Sequence, residues 1–264
     1  MYDSVMGLML WGALWVVAGM AVLWLLAWAI KEPSIVDVGW TLSVGGLAWY
    51  YYFSSGICGT RPVLLLTAVS LWTLRMLGLL LGRYMRGKKD KRYEALTAGW
   101  TQDTWKKYFI FFEAQALAAV VLSLPFAFVM THTQGLELWD LAAILVFLAG
   151  FSGVAASDEA LKLFQQNPEN EGKVCTKGLW RYSRHPNYFF EIVLWIGFAL
   201  FAISSPLGWL GLISPVLLLV SVFFVTGIPP TEKHLLQSKG EEYRLYQQRT
   251  SKFIPLPPGK NDEL

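Results

Sequence analysis

Residues Gly178 to Glu191, GLWRYSRHPNYFFE, place Arg181, Arg184, His185, Asn187 and Glu191 at the mouth of a strongly apolar run. Polar groups next to such sequence need partners or a ligand, because burying them unpaired is costly. Arg184, Asn187 and Glu191 are spaced three and four apart. A helix beginning near Pro186, whose missing N–H suits a first helical position, would line them along one face of its opening turns, with Trp195 continuing that face. A helix N-terminus flanked by Arg181, Arg184 and His185 suits a phosphate-bearing ligand, since unpaired N–H groups and the helix dipole both favour an anion there. His185 alone carries little weight, because an interfacial histidine is commonly a cap or a headgroup contact.

Other ionisable residues fall inside apolar segments: Asp37, Arg75, Glu113, Asp158 and Glu191. An ionisable group within a membrane helix usually faces a partner or a wet cavity. All but Glu113 fall in or near the half of the bilayer assigned below to the cytoplasm, so one pocket open to that side would serve them. The competing reading is private pairing, for example of Arg75 with Asp37 or Glu113, to fix helix register. Glu113 is expected to be a packing residue. Asp140 is expected at an outer interface within reach of solvent, in a structural role.

The elements that must position these groups follow from composition. The chain has 264 residues, 55% of them hydrophobic and 15% aromatic, with a mean hydropathy of +0.42, and belongs in a bilayer. Apolar segments recur at about Met6 to Ile30, Ser34 to Phe53, Pro62 to Leu81, Tyr108 to Met130, Leu138 to Ala156, Tyr188 to Ile203 and Leu207 to Ile228. Each has the length of a spanning helix, so an all-α fold with seven transmembrane helices is predicted, the last two joined tightly through Pro206. The first segment is too long for a cleaved signal peptide, no Lys or Arg precedes it, and no cleavage site follows. Its tryptophans, Trp11, Trp15, Trp24 and Trp28, read as an interfacial belt. Lys and Arg crowd into Arg83–Lys107, Asp158–Arg184 and the tail, whereas the alternate loops offer only Arg61. The N-terminus is therefore expected outside and the C-terminus in the cytoplasm.

A net charge of +3 does not point to nucleic acid. Cys58 and Cys175 fall on opposite sides in this map and cannot pair, and no metal framework is visible. The C-terminal NDEL resembles a retrieval signal by chance only. The chain reads as a single domain, residues 1–130 holding helices one to four and 131–264 helices five to seven and the tail.

CTKGLWRYSRHPNYFFEIVLWIGFAL resembles the cofactor-binding segment of the membrane steroid 5α-reductase family, in particular its bacterial branch of unknown function. The likeness extends to SIVDVGW, LWTLRMLGLLLGRY, KRYEAL, SDEALKLFQQNPENEGK and EEYRLYQQRTSKFIP, and covers most of the chain from Ser34 onward. It implies an integral membrane enzyme of the bacterial inner membrane that uses NADPH to reduce an activated carbon–carbon double bond in a lipid. By the same resemblance Asp158, Asn187 and Glu191 match NADPH-contacting positions, Tyr182 an aromatic position of the block, and Arg75 the arginine of helix three. Lys173, Arg181, Arg184 and His185 would supply cationic surface for the phosphates. Trp72 stands where steroid-reducing members carry a tyrosine, and their Gln-Glu pair is absent, so the cofactor half is better matched than the substrate half.

Reduction of a conjugated enone needs a hydride donor, a donor at the carbonyl oxygen and a proton. Asp37 is the expected donor at oxygen, with Trp72 and Arg75 beside it; a buried ion pair of Asp37 with Arg75 stands as the equal alternative. The second functional reading is an S-adenosylmethionine-dependent methyltransferase acting on a lipid or prenylated substrate, a group that shares the RHP-plus-Tyr pattern. Those enzymes carry paired glutamates after the last helix, whereas GIPPTEKHLL offers Glu232 followed by Lys233. A transporter would be expected to show inverted repeats and broken midplane helices, and neither is visible. Membrane lipids are the other expected partners.

Overall fold

A computed structural model describes residues 2–85, 103–132 and 135–259. The basic loop holding Arg86, Lys88, Lys89, Lys91 and Arg92, the KRYEAL motif and the terminal NDEL lie outside the described residues. Among the described residues every regular element is helical and none is a strand. The α-helices are α1 (Tyr2–Ile30), α2 (Ile35–Ser55), α3 (Thr60–Met85), α4 (Thr104–Leu122), α5 (Leu124–Met130), α6 (Leu138–Gln166), α7 (Pro186–Ala202), α8 (Ile213–Phe224), α9 (Ile228–Lys239) and α10 (Glu241–Arg249).

Four runs are long and apolar enough to cross a bilayer: Val5–Ile30, Thr60–Met85, Leu138–Gln166 and Gly208–Lys239. A fifth follows if α4 and α5, which meet at 42°, form one span. The 17-residue α7 is apolar but shorter, and the 21-residue α2 stands where a span is expected. These elements are compatible with a multi-pass membrane protein.

The chain divides into two compact units. The first comprises Met1–Asp140 and Phe198–Ser214. Its α4–α5 break follows from Pro125, which lacks the N–H that would continue the ladder. The freed carbonyls are met by a side chain: Ser214 Oγ lies 3.3 Å from the Val121 oxygen and 3.2 Å from that of Leu122. Ser123 Oγ donates to the Val120 oxygen at 2.7 Å and lies 3.0 Å from the Tyr51 hydroxyl. Backbone groups within an apolar unit are thus satisfied internally, as a bilayer demands. Of the α1 tryptophans, Trp24 does more than edge the membrane: its ring stacks on Trp105 and its Nε1 donates to the Trp105 oxygen at 3.1 Å.

Asp140 corrects the expectation of solvent access. It is 1% exposed, and its Oδ1 accepts from Arg61 Nε at 2.8 Å while Oδ2 accepts from the Glu137 N–H at 2.8 Å. Arg61, equally buried, also donates from Nη2 to the Phe201 oxygen. A buried guanidinium needs a carboxylate, which is why Asp140 is drawn inside; its role is structural, as expected.

The second unit comprises Leu141–Gly197 and Pro215–Leu264. Here α6 and α7 approach backbone to backbone. A Cβ at Gly150 would lie 2.4 Å from the Leu194 nitrogen, and one at Gly197 would lie 2.8 Å from that of Phe147. Only residues without a side chain allow this, and the approach sets the height of α7 against α6. Gly150→Ala is therefore expected to lower unfolding free energy by about 1–3 kcal/mol, an overpacking cost, seen as a lower melting midpoint of the purified protein; an unchanged midpoint would refute the close approach.

Candidate functional site

The block singled out in the sequence lies in the second unit. A 3₁₀ turn, Gly178–Arg181, leads through Ser183 to Pro186, where α7 starts as the proline signal predicts. Trp180, buried in the turn, donates its Nε1 to the Ser157 oxygen of α6 at 2.9 Å. That bond sets the turn holding Arg181 next to the part of α6 that carries Asp158.

Arg184 and His185 converge on one acid, Glu232 of α9. Arg184 donates from Nε and Nη2 to Glu232 Oε1 at 2.9 and 2.8 Å. Its Nη1 donates to the carbonyls of Gln247 and Thr250 at 2.8 and 3.1 Å, and its backbone N–H to that of Ser251 at 2.8 Å. His185, 2% exposed, places Nε2 3.2 Å from the same oxygen and stacks on Tyr188. Gln247 Nε2 donates to Glu232 Oε2 at 3.2 Å. The guanidinium of Arg184 is thus engaged by protein acceptors at every nitrogen, and Arg184 and His185, two of the four residues expected as phosphate surface, form a clamp on the tail.

The tail completes the clamp. Tyr246 donates its hydroxyl to the Trp180 oxygen, Ser183 Oγ donates to the Phe253 oxygen at 2.7 Å, and the Leu256 N–H donates to the Tyr182 oxygen at 3.0 Å. Phe253 packs edge-on against Phe189 and Phe223. Tyr243 is buried beside the pair. Burial raises its pKa, with the Glu232 charge adding to the effect. His185 shifts the other way: burial pushes its pKa down, the hydrogen bond it donates to Glu232 and that carboxylate's charge offset part of this, and Arg184 and Lys252 push down further.

The remaining predicted cofactor residues are more open. Asn187 and Glu191 are half-buried, one turn apart on α7. Asn187 Oδ1 accepts from the Tyr188 N–H at 3.0 Å, and Glu191 Oε1 accepts from the buried Trp195 Nε1 at 3.1 Å. Asp158 is half-buried, whereas Lys173, Arg181 and Tyr182 are exposed. Asp37, Trp72 and Arg75 belong to the first unit. There Trp40 and Trp72 meet edge to face, centroids 5.8 Å apart. Asp37 lies three residues before Trp40 and Arg75 three residues after Trp72, so on consecutive antiparallel helices both lie a turn beyond that contact toward the same end. Trp72 is fully buried, while Asp37 and Arg75 are half-buried.

Glu232, Tyr243, Tyr246 and Gln247 are site residues that the sequence reading did not select. The available signal was Arg184, a cation beside an apolar run that requires an anion; Glu232 is the acid that opens the polar stretch after the last apolar segment.

Comparison with known proteins places the sequence in a family. Residues 9–250 match the family described as "Protein of unknown function (DUF1295)", and the chain belongs to that family. It is also similar to "Uncharacterized protein C594.04c" of Schizosaccharomyces pombe, 26% identical over 276 residues covering 91% of this chain and 77% of that protein.

Two outcomes test the clamp. Glu232→Gln leaves Arg184 buried without its anion and is expected to cost about 3–5 kcal/mol, read as a lower melting midpoint together with faster proteolysis after Gly240; unchanged proteolysis would refute it. Because the pKa of His185 is lowered on folding, the unfolded chain binds more protons below about pH 6.5 and stability falls as pH drops through that value. His185→Gln is expected to flatten the melting profile between about pH 7.5 and 5.5 relative to the parent, and a profile as steep as the parent's would contradict the assignment.

Proposed function

We propose that the protein is an NADPH-dependent reductase of an activated carbon–carbon double bond in a lipid. The observation that carries this reading is the division of labour at the start of α7: Arg184 and His185 fix the helix N-terminus through Glu232, while Asn187 and Glu191 remain half-exposed one turn apart on it. That donor set suits a nucleotide. Carboxylates at Asp158 and Glu191 are acceptors for ribose hydroxyls, the Asn187 amide is a donor, and exposed Lys173 and Arg181 are cations for phosphates.

When bound, NADPH supplies a hydride. The chain's part is to hold the nucleotide by Asp158, Asn187 and Glu191, with Tyr182 as an aromatic surface, and to polarise the substrate carbonyl. For that second task we assign Asp37 as donor at oxygen, Trp72 as an indole N–H donor and Arg75 as a stabilising cation. We extend the membrane arrangement to seven spans by counting α2 and α7, the latter about 25 Å long at 1.5 Å per residue. The Lys and Arg bias of the loops then orients the N-terminus outside and the tail toward the cytoplasm of a bacterial inner membrane.

Thermal unfolding with each nucleotide tests the reading. NADPH at about a hundred times its Kd is expected to stabilise the protein by about 2.7 kcal/mol, and S-adenosylmethionine to leave it unchanged. Asn187→Ala combined with Glu191→Gln is expected to abolish the shift. A shift with S-adenosylmethionine alone would move the function to methyl transfer. Asp37→Asn is expected to lose turnover by about 10²–10⁴-fold while keeping the NADPH shift; retained turnover would remove Asp37 from the chemistry.

A further inference from the structure

The tail after α10 is a closed loop with an apolar rim. Its ends meet where the Gly259 N–H donates to the Arg249 oxygen at 3.1 Å, and the Leu256 N–H fastens its far limb to the Tyr182 oxygen at 3.0 Å. Between these points burial alternates. Ser251, Phe253 and Pro255 are half-buried, whereas Lys252, Ile254 and Leu256 are exposed. The loop cannot turn its outer residues inward, because Phe253 is held through its ring by Phe189 and Phe223 and through its oxygen by Ser183. Ile254 and Leu256 therefore face outward at 56% and 52% exposure, with the exposed Tyr182 bonded beside Leu256.

Height along the helices identifies what that face meets. Phe189 lies in the first turn of α7 and Phe223 in the last turn of α8, so the loop sits where two apolar helices end. Phe223 also belongs to a run long enough to cross a bilayer, and Phe224 and Val225, next in the chain, are largely exposed, as residues covered by acyl chains at the end of a span would be. The apolar rim of the loop continues that surface. Charge narrows the partner further. From Tyr243 to Gly259 the chain carries Arg249 and Lys252 and no Asp or Glu, and Lys252 Nζ stands 6.0 Å from the centroid of the Phe223 ring. A cation at the aromatic end of a span, with apolar side chains two and four residues on, suits the boundary between acyl chains and phosphates. We propose that the 249–259 loop is a lipid anchor: Ile254 and Leu256 enter the interfacial layer of the bilayer, and Lys252 meets the phosphate of an anionic lipid. The contact needs neither nucleotide nor substrate.

Full-length protein carrying Cys58→Ser and Ile254→Cys, labelled with the fluorophore NBD and reconstituted at one copy per nanodisc, tests the contact. A lipid bearing a nitroxide near the headgroup end of its acyl chain is expected to quench the label more than aqueous iodide does, and Leu256→Cys should report the same. Gln237→Cys, exposed on α9, should show the reverse. All three variants should keep the parent's melting midpoint, since the replaced side chains are exposed. Discs containing phosphatidylglycerol should give stronger lipid quenching than discs of phosphatidylcholine alone. In Lys252→Gln the phosphatidylglycerol content that half-saturates this change should rise about fivefold, the effect of one basic residue at an anionic surface. Quenching by iodide alone at both loop positions, or a lipid signal indifferent to phosphatidylglycerol, would overturn the proposal. A disulfide between copies through Leu256→Cys, in discs loaded with two copies, would put a second chain on this face and overturn it likewise.

Discussion

A guanidinium sealed inside an apolar protein must find its anion, and the second unit is organised around that requirement. Arg184 is 9% exposed, and an unpaired charge at that depth would consume a large part of a typical domain's stability margin. Glu232 neutralises it, and the carbonyls of Gln247 and Thr250 take the hydrogens of Nη1. Three stretches far apart in sequence are thereby fixed together: the loop before α7, the polar helix α9, and the segment after α10. His185 shares the same carboxylate, so the start of α7 is held from two adjacent residues. Asn187 and Glu191 inherit their placement from that anchorage.

The first unit meets the same demand with different residues. Arg61 and Asp140 neutralise one another at 1% exposure, and the Phe201 carbonyl accepts from the other end of the guanidinium. At the Ser123 break the problem is backbone polarity instead of charge, and Ser214 with the Tyr51–Ser123 contact answers it. The buried Arg61 and the helix break at Ser123 thus each come with their own partners, which is what a medium without water imposes.

Helix positions were legible because apolar run length is a strong signal: α1, α3, α6 and α7 fall where the runs lie. The start of α7 at Pro186 was legible for a local reason, the proline's missing N–H. The α4–α5 break was not, since Pro125 lies within a run whose hydropathy never drops and whose compensation comes from Ser214, some ninety residues away. Asp140 was misjudged because an acid near a span end is ordinarily wet, and only the three-dimensional nearness of Arg61 buries it. Arg184 illustrates the limit on the site: its residue type announced an anion, but a phosphate and a glutamate satisfy that announcement equally on paper. Distance in sequence decided the outcome, as Glu232 is 48 positions away.

The order of synthesis gives the clamp on Arg184 a temporal side. One of the carbonyls that complete the guanidinium's shell belongs to Thr250, 66 positions downstream. While the ribosome is still making that stretch, the loop before α7 has already emerged with a cation that lacks its final acceptors. Until α9 and the stretch beyond α10 arrive, that arginine has only water or lipid headgroups to face, so the innermost packing of this half is among the last things the nascent chain completes.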